Sequence, residues 1–212
     1  MADLDDVPGG VALEDPAAHW DAWRPAAAAS RLRGVSAPWY VAGGWALDLH
    51  RGEQTRAHDD LEIAVPAPAF GEIRAALADC DFEAVGSGRV WPADSQAFGR
   101  THQTWGSEPD PSRPRGLVYR IDVFREPVVA GRWACRRDER ITLPYERVIR
   151  HDAAGIPYLV PQLVLLFKAK HARGKDQADF EAALPLLSPA EARWLRAALS
   201  RLHPGHEWIG VL

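Results

Sequence analysis

The chain has 212 residues, of which 47% are hydrophobic and 25% are charged, and its formal net charge is -4. This length and composition allow one large globular domain, or one α/β domain with a smaller helical domain. The net negative charge argues against a nucleic-acid partner. No apolar segment approaches the length of a membrane span. The acidic N-terminus lacks a signal-peptide pattern, and Cys80 and Cys135 have no metal-site spacing, so we expect a cytoplasmic protein with reduced thiols.

Hydrophobic periodicity, glycines and prolines predict the elements of the first half of the chain. The chain begins with a mobile segment over residues 1–14 and a helix from Pro16 to about residue 33, which Pro25 kinks or splits. A buried strand over 39–42 leads into a glycine turn at Gly43 and Gly44 and then a short helix that Gly52 ends. A strand over 58–65 and a helix over 70–79 follow. In the strand "HDDLEIAV", the apolar Leu61, Ile63 and Val65 share one face, and Asp60 and Glu62 lie on the other.

The second half changes from strands to helices. In chain order its predicted elements are strands in "FEAVGSGRVW" and "GLVYRIDVF" with the loop "WGSEPDPSRPRG" between them, a hairpin in "RWACRRDERITL", a short strand in "IPYLVP", a helix from Pro161 that Gly174 ends, a helix over "KDQADFEAAL", and a helix that begins with a capping box at Ser188 and Glu191. The pattern predicts an α+β protein with one domain over residues 15–156 and a small helical domain over 157–212.

Three acidic residues lie in segments that otherwise resemble buried strands. Asp60 and Glu62 are two residues apart on one strand, so their Cβ atoms lie within about 7 Å of each other. Two carboxylates at that distance need a neutralising group, and Mg²⁺ takes oxygen ligands of this kind. With Asp122 from "YRIDVF" they would form a two-metal phosphoryl-transfer site. The alternatives are a solvated sheet edge for Asp60 and Glu62, and an ion pair of Asp122 with Arg120 or Arg125.

Glycine and basic residues near these acids suggest binding of a phosphate group. Gly43 and Gly44 follow a strand and open a helix, where backbone N–H groups can contact a phosphate. Arg56 and His58 lie just before the acidic strand, and Lys168 follows the apolar segment "LVLLF". The alternative for the basic residues is a solvated surface.

The segment "GGWALDLHRGEQTRAHDDLEI" resembles the signature of nucleotidyltransferases related to DNA polymerase beta, and more narrowly that of aminoglycoside 2''-adenylyltransferases. The resemblance continues in "FKAKHARGKDQADFEAALPLL", and the middle region matches through Asp122. It implies a polymerase-beta-like mixed sheet with flanking helices and a small C-terminal helical domain. It also implies that Gly43 and Gly44 face the phosphates of ATP, that Asp60 and Glu62 hold Mg²⁺, and that Asp122 is a third ligand or the general base. Glu62 stands where the family commonly has Asp, which would change the metal spacing.

The resemblance implies transfer of AMP from ATP to a hydroxyl of a small molecule such as an aminoglycoside. In that reaction Arg56, His58 and Lys168 would bind the nucleotide and stabilise the departing pyrophosphate. Trp91, Asp94, Trp105 and Glu108 are the predicted acceptor-binding residues, because acids with aromatic walls suit a cationic sugar. The alternative for these four is an ordinary solvated loop. Other acceptors (a lincosamide, a protein or an RNA end), a non-catalytic nucleotide- or ligand-binding protein, and one member of a protein pair stay open as functions.

Overall fold

The computed structural model describes Leu4 and residues 6–212. Its contacts divide the chain into two compact units, each made of two segments. The first unit comprises Met1–Tyr40 and His58–Val128, and the second unit comprises Val41–Ala57 and Val129–Leu212. This division differs from the predicted boundary at residue 157, because the segment 41–57 and the strands after residue 128 group with the C-terminal helices.

The strands and helices are short, and most of them agree with the predicted elements. The strands are β1 (Val11–Ala12), β2 (Tyr40–Val41), β3 (Glu62–Pro66), β4 (Asp81–Gly86), β5 (Arg89–Pro92), β6 (Gln103–Pro109), β7 (Leu117–Glu126), β8 (Val128–Val129), β9 (Arg132–Cys135), β10 (Asp138–Leu143), β11 (Ile149–His151) and β12 (Pro157–Leu159). The helices are α1 (Pro25–Arg31), α2 (Gly43–Arg51), α3 (Phe70–Ala76), α4 (Gln96–Arg100), α5 (Pro161–Lys168), α6 (Gly174–Ala183) and α7 (Pro189–Leu202).

The first unit is built on a mixed sheet with the strand order β1-β5-β4-β6-β7-β3. Neighbouring strands are antiparallel except β3 and β7, which are parallel. In β3 the residues Ile63, Ala64 and Val65 are all buried, so both faces of this strand are covered. A strand that is covered on both faces has a continuous apolar segment in its sequence. In β3 this segment begins only after Glu62.

Aromatic packing and one glycine fix the apolar side of this sheet. The ring of Phe70 on α3 packs edge-on against Phe82 of β4 and lies close to Phe98 of α4, with 5.5 Å between centroids in both pairs. Gly106 of β6 lies directly over this cluster. A Cβ atom there would come within 2.9 Å of Ile121 and 3.0 Å of Phe82, so only glycine fits without a shift of the packing.

The N-terminal segment packs on the first unit where it is described. The prediction of a mobile segment over residues 1–14 falls partly on residues 1–3 and 5, which lie outside the described residues. Of the others, Leu4 and Val7 are buried in a cluster with Trp91, and β1 pairs with β5. For these described residues the structure therefore shows a packed segment, because their apolar side chains cover the ring of Trp91.

The second unit combines two small groups of strands with the C-terminal helices. Val41 of β2 pairs in parallel with β12, which pairs antiparallel with β11, and β8, β9 and β10 form a separate sheet in the order β10-β9-β8. Phe180 of α6 stacks on Trp208 with 4.2 Å between the ring centroids. The predicted capping box of α7 is confirmed, since Ser188 and Glu191 exchange side-chain and backbone hydrogen bonds.

Two local predictions are wrong and one is confirmed in part. The predicted loop over residues 105–116 contains most of β6, because pairing with two neighbouring strands outweighs its glycine, serine and proline content. The predicted helix from Pro16 is split, as expected: a 3-10 helix spans Pro16–His19, and Pro25 begins α1, since the first helical position needs no N–H group. The helix predicted to reach Gly174 ends at Lys168, where the guanidinium of Arg137 binds two of its last carbonyl groups, and Gly174 begins the next helix.

Two expectations from composition can be compared with the fold. No helix in the described residues combines the length and the apolar character needed to cross a membrane. Both cysteines are free thiols, with Cys80 half-buried and Cys135 buried. Burial, with the negative charge of Asp79 beside it, raises the pKa of the Cys80 thiol to about 12. This thiol is therefore protonated and a poor nucleophile at neutral pH.

Candidate active site

Two of the predicted acidic residues lie side by side in the first unit. Glu62 is the first residue of β3, and its Cα atom is the direct partner of the Cα of Asp122 in the parallel pairing of β3 with β7. Partner residues on adjacent strands project from the same face of a sheet. Asp60 lies two residues before Glu62, in the segment that leads into β3, and is thus outside the strand in which we predicted it.

The carboxylate of Asp122 is buried and only half satisfied. The residue is 2% exposed, and its Oδ2 accepts a hydrogen bond of 2.5 Å from the side-chain amide of Gln103 on β6. Its Oδ1 is buried without a hydrogen-bond partner. Burial raises the pKa of Asp122 well above its ordinary value, and the negative charges of Glu62 and Asp60 raise it further, while the Gln103 amide and the Trp105 indole N–H work in the opposite direction.

The alternative of an ion pair between Asp122 and a neighbouring arginine is wrong. Arg120 donates to Glu108 at 2.7 Å and also binds Asp21. The guanidinium of Arg125 is buried and donates to Thr104 Oγ1 and to backbone carbonyls of the α4 region. Both arginines are committed elsewhere, so the negative charge of the carboxylate is not compensated by either of them.

The acidic residues fit a divalent cation in part. Among the described residues, no three His, Cys, Asp or Glu side chains stand in position to hold one metal ion, so the three predicted ligands do not form a preformed cage. Mg²⁺, however, commonly takes one or two carboxylates and completes its shell with water and phosphate oxygens. Glu62 and Asp122 supply such a pair, and the buried Oδ1 of Asp122 is an oxygen that lacks any other partner.

The glycine turn in the second unit opens a helix. Gly43 is the first residue of α2 and has a φ of 59°, in the left-handed region that favours glycine. The preceding Ala42 is extended and provides no side-chain cap for the N-terminus. Gly43 and Gly44 therefore place backbone N–H groups at the positive end of a helix dipole, an arrangement that binds phosphate in other proteins.

A buried carboxylate on α2 fixes the loop that follows this helix. Asp48 is 4% exposed, and its Oδ1 accepts hydrogen bonds from the backbone N–H of Thr55 at 3.1 Å and from the Thr55 hydroxyl at 2.6 Å. The loop ends immediately before Arg56. Asp48 thus sets the position from which the Arg56 side chain extends.

Two predicted nucleotide-binding cations of the second unit meet at one aspartate. Asp179 of α6 accepts hydrogen bonds from Arg56 Nε and Nη2 at 3.3 and 3.2 Å, and its Oδ2 lies 2.9 Å from Lys168 Nζ. Lys168 Nζ also lies 3.1 Å from Asp176. His58, the third predicted cation, is half-buried and belongs to the first unit. The sequence contained no local signal for the shared partner, because Asp179 follows Arg56 by more than a hundred residues.

The cations keep both aspartates of this cluster ionised. Burial alone would raise the pKa of Asp179, but hydrogen bonds from Arg56 and Lys168 outweigh it and the pKa is lowered. The same balance holds for Asp176, where hydrogen bonds from Arg173 and Lys168 overcome burial and bring the pKa to about 2. Lys168 is therefore held in an ion pair on two sides rather than extended into solvent.

The structure separates the four predicted acceptor-binding residues. Trp91 is 1% exposed, and its indole N–H donates to the Val7 carbonyl, so it is a core residue. Asp94 is exposed in the turn before α4. Glu108 accepts hydrogen bonds from Arg120 and Arg31, so its charge is already neutralised. Trp91, Asp94 and Glu108 therefore do not line a common acceptor-binding surface.

Trp105 is the one of the four that lies next to a predicted catalytic acid. Its Cα is the direct partner of Asp122 in the pairing of β6 with β7. The indole packs edge-on against Trp20 and Tyr119, with centroids 5.2 and 4.8 Å away. Gln103 and Trp20 were missed from the sequence, because only strand pairing brings Gln103 to Asp122, and Trp20 reaches this region through its ring contact with Trp105.

The mixed sheet with flanking helices identifies the class of fold as that of the polymerase-beta-like nucleotidyltransferases. Two solved structures of the antibiotic-resistance factor ANT(2'')-Ia, a solution structure and a crystal structure with adenylyl-2''-tobramycin, each match 84% of this chain with a TM-score of 0.52. The matches cover 88% and 94% of those chains at 18% and 16% identity. The predicted fold class is confirmed.

The sequence similarity points to a particular branch of that class. The profile of the aminoglycoside-2''-adenylyltransferase family matches residues 26–94. The 2''-aminoglycoside nucleotidyltransferases of Escherichia coli and Klebsiella pneumoniae are 42% identical over 38 residues, which is 18% of this chain. The chain therefore matches only 22% of the length of these relatives. The predicted resemblance is confirmed, and the matched proteins are antibiotic nucleotidyltransferases.

Proposed function

We propose that the chain is a nucleotidyltransferase that moves AMP from ATP to a hydroxyl group of an aminoglycoside-like antibiotic. The observation that carries the proposal is the pair of Glu62 and Asp122 on adjacent strands, with a buried carboxylate oxygen that has no protein partner. A buried acid with an elevated pKa, in the family fold that uses acids at this point, indicates a functional site. The reaction would take place in the cytoplasm, the compartment that we propose for the chain.

The reaction requires an oxygen nucleophile and a proton acceptor. The acceptor hydroxyl forms a bond to the α-phosphorus of ATP, the bond between that phosphorus and the bridging oxygen breaks, and pyrophosphate leaves. We assign the proton of the hydroxyl to the Asp122 carboxylate, since burial and two neighbouring acids raise its pKa above that of an ordinary aspartate. Mg²⁺ held by Glu62 and Asp122, with Asp60, would neutralise charge on the phosphates.

The nucleotide contacts that we propose are a helix N-terminus and a pair of cations. The N–H groups of Gly43 and Gly44 would bind phosphate oxygens at the start of α2. Arg56 and Lys168, joined through Asp179, would offset the charge of the triphosphate. The cluster that includes Arg173 brings three cations and two carboxylates together next to these contacts.

The acceptor is proposed from the relatives and from one aromatic residue. ANT(2'')-Ia has been solved with adenylyl-2''-tobramycin, an adenylylated aminoglycoside. In this chain Trp105, directly opposite Asp122, presents an aromatic face of the kind that binds cationic amino sugars. A hydroxyl held beside Trp105 would lie close to the proposed base.

The decisive experiment is a mass-spectrometric screen for adducts. The protein is mixed with Mg²⁺, each of four nucleoside triphosphates, and a panel of aminoglycosides and lincosamides. We expect an AMP adduct of an aminoglycoside with the unmodified protein and none with Asp60→Asn. The matched control is Asp59→Asn, which removes the neighbouring exposed carboxylate and should leave the reaction intact.

The other outcomes identify the competing functions. An adduct only with a lincosamide would keep the reaction and replace the acceptor. Metal-dependent ATP binding without any adduct would favour another acceptor, such as a protein or an RNA end. ATP binding that is indifferent to Mg²⁺ and to Asp60→Asn would favour a non-catalytic nucleotide-binding protein, which the lack of a preformed three-ligand cage among the described residues also suggests.

A further inference from the structure

The amide of Gln103 is the hydrogen-bond donor on which the Asp122 carboxylate depends. Its Nε2 lies 2.5 Å from Asp122 Oδ2, and it reaches across from β6 to β7 in the interior of the sheet. No arginine takes this position, although Arg120 and Arg125 flank Asp122 in the sequence. The sheet therefore orients this buried carboxylate with a neutral group.

A neutral donor and a cation have different consequences at such a position. A guanidinium or ammonium group would compensate the charge of Asp122 and would compete with any metal ion for it. An amide instead fixes one oxygen and leaves the net charge in place. The second oxygen, Oδ1, stays buried without a partner, which costs stability unless another group binds there.

We propose that Gln103 is a positioning residue for the metal site: it fixes Asp122 through Oδ2 so that Oδ1, with the full negative charge, is available to a divalent cation. This inference rests on the proposed function, because it requires that Asp122 binds a cation. Partners of metal-binding carboxylates commonly change metal affinity by about 10- to 100-fold when removed. Gln103 itself has no role in contacting the metal or the substrate.

Two substitutions of Gln103 separate positioning from simple structural support. Gln103→Leu removes the hydrogen bond and leaves the carboxylate free to rotate. Gln103→Lys replaces the amide with a cation that would compensate Asp122. Gln103→Leu reports on positioning, because it removes the hydrogen bond without adding charge. Gln103→Lys reports on charge: if the site needs an uncompensated carboxylate, the lysine should support the fold and abolish cation binding.

A matched control is available one residue further along β6. Thr104 is fully buried and points to the opposite face of the sheet, where its hydroxyl accepts a hydrogen bond of 2.8 Å from Arg125 Nε. Thr104→Val removes a buried hydrogen bond from the same strand without changing the shape of the side chain. It should lower the melting temperature and leave the metal affinity unchanged.

The test is a titration of the full-length protein with Mn²⁺ alone at neutral pH, in which the free aqueous ion is measured by electron paramagnetic resonance. The unmodified protein and Thr104→Val should bind Mn²⁺ with the same Kd. Gln103→Leu should raise that Kd by about tenfold or more, and Gln103→Lys should bind no Mn²⁺ while it melts at a temperature no lower than that of Gln103→Leu.

Each outcome decides a different statement. Equal Mn²⁺ affinity of Gln103→Leu and the unmodified protein would overturn the positioning role and leave the proposed function intact. If the unmodified protein itself binds no Mn²⁺, the proposed metal site fails, and the role of Gln103 fails with it. If Gln103→Leu does not fold, Gln103→Lys decides, since normal Mn²⁺ binding by a folded lysine variant would refute the inference.

Discussion

The ion pairs of Asp176 allow a quantitative prediction about stability. Asp176 is 1% exposed, and its carboxylate binds Lys168 Nζ at 3.1 Å and Arg173 Nε at 2.7 Å. Although burial raises its pKa, these partners bring the pKa to about 2 in the folded protein, against about 3.9 in an unfolded chain. The difference between the two pKa values corresponds to about 2–3 kcal/mol of stability at neutral pH.

The sign of the pH dependence follows from the lowered pKa. A carboxylate whose folded pKa lies below its unfolded pKa contributes its full stability above about pH 4 and loses it as the pH falls through the folded value. We therefore expect Asp176→Asn to lower the free energy of unfolding by about 2–3 kcal/mol at neutral pH. The difference in unfolding free energy between this variant and the unmodified protein should fall to about half of that value near pH 3. The asparagine oxygen can still accept the Arg173 backbone N–H, so the helix cap is kept.

The assay is urea unfolding followed by tryptophan fluorescence, at neutral pH and at several acidic pH values. Asp94→Asn serves as the control, because it removes one negative charge from an exposed position. Its unfolding free energy should stay within about 0.5 kcal/mol of the unmodified value. A loss for Asp176→Asn that is the same at neutral pH and near pH 3 would show that the ion pairs do not contribute as calculated.

Other substitutions test the remaining sites. Asp122→Asn should abolish AMP transfer yet raise the melting temperature measured without metal, because it removes a buried charge whose pKa is raised; a lower melting temperature would contradict this. Gly43→Ala should cost about 1–2 kcal/mol, given its φ of 59°, and should weaken ATP binding in calorimetry. Trp91→Ala should cost about 3–5 kcal/mol in urea unfolding without changing the KM for the acceptor. Arg56→Gln should raise the Kd for ATP about tenfold, and more than Lys168→Met, since the Arg56 side chain is 30% exposed and that of Lys168 only 11%.

Local sequence patterns predicted the elements whose signals lie within a few residues of each other. The capping box at Ser188 and the glycine at the start of α2 are examples, because each depends on the backbone beside it. The same reasoning failed for residues 105–109, which look like a loop by composition. Those residues form β6 because β4 and β7 pair with it on both sides, and this stabilisation is not visible in its own sequence.

The candidate site shows the same limit at the level of side chains. The sequence indicated that Glu62 and Asp122 are acids in strands, but their direct pairing depends on a register between segments about sixty residues apart. Lys168 was expected to face a phosphate because it follows an apolar helix face. Its partners in the structure are Asp176 and Asp179, which the sequence placed in the next helix. Only the packing of α5 against α6 brings them to the ammonium group of Lys168.

Comparison of two buried aspartates supports the role that we propose for Asp122. Asp176 and Asp122 have nearly the same exposure, yet the pKa of Asp176 is lowered and that of Asp122 is raised. The first is surrounded by cations that compensate its charge, as expected for a group that stabilises the fold. The second has a neutral donor, a neighbouring carboxylate and an oxygen without a partner. Such an arrangement lowers stability on its own, so its presence in an otherwise well-packed sheet is most simply explained by a ligand that completes it.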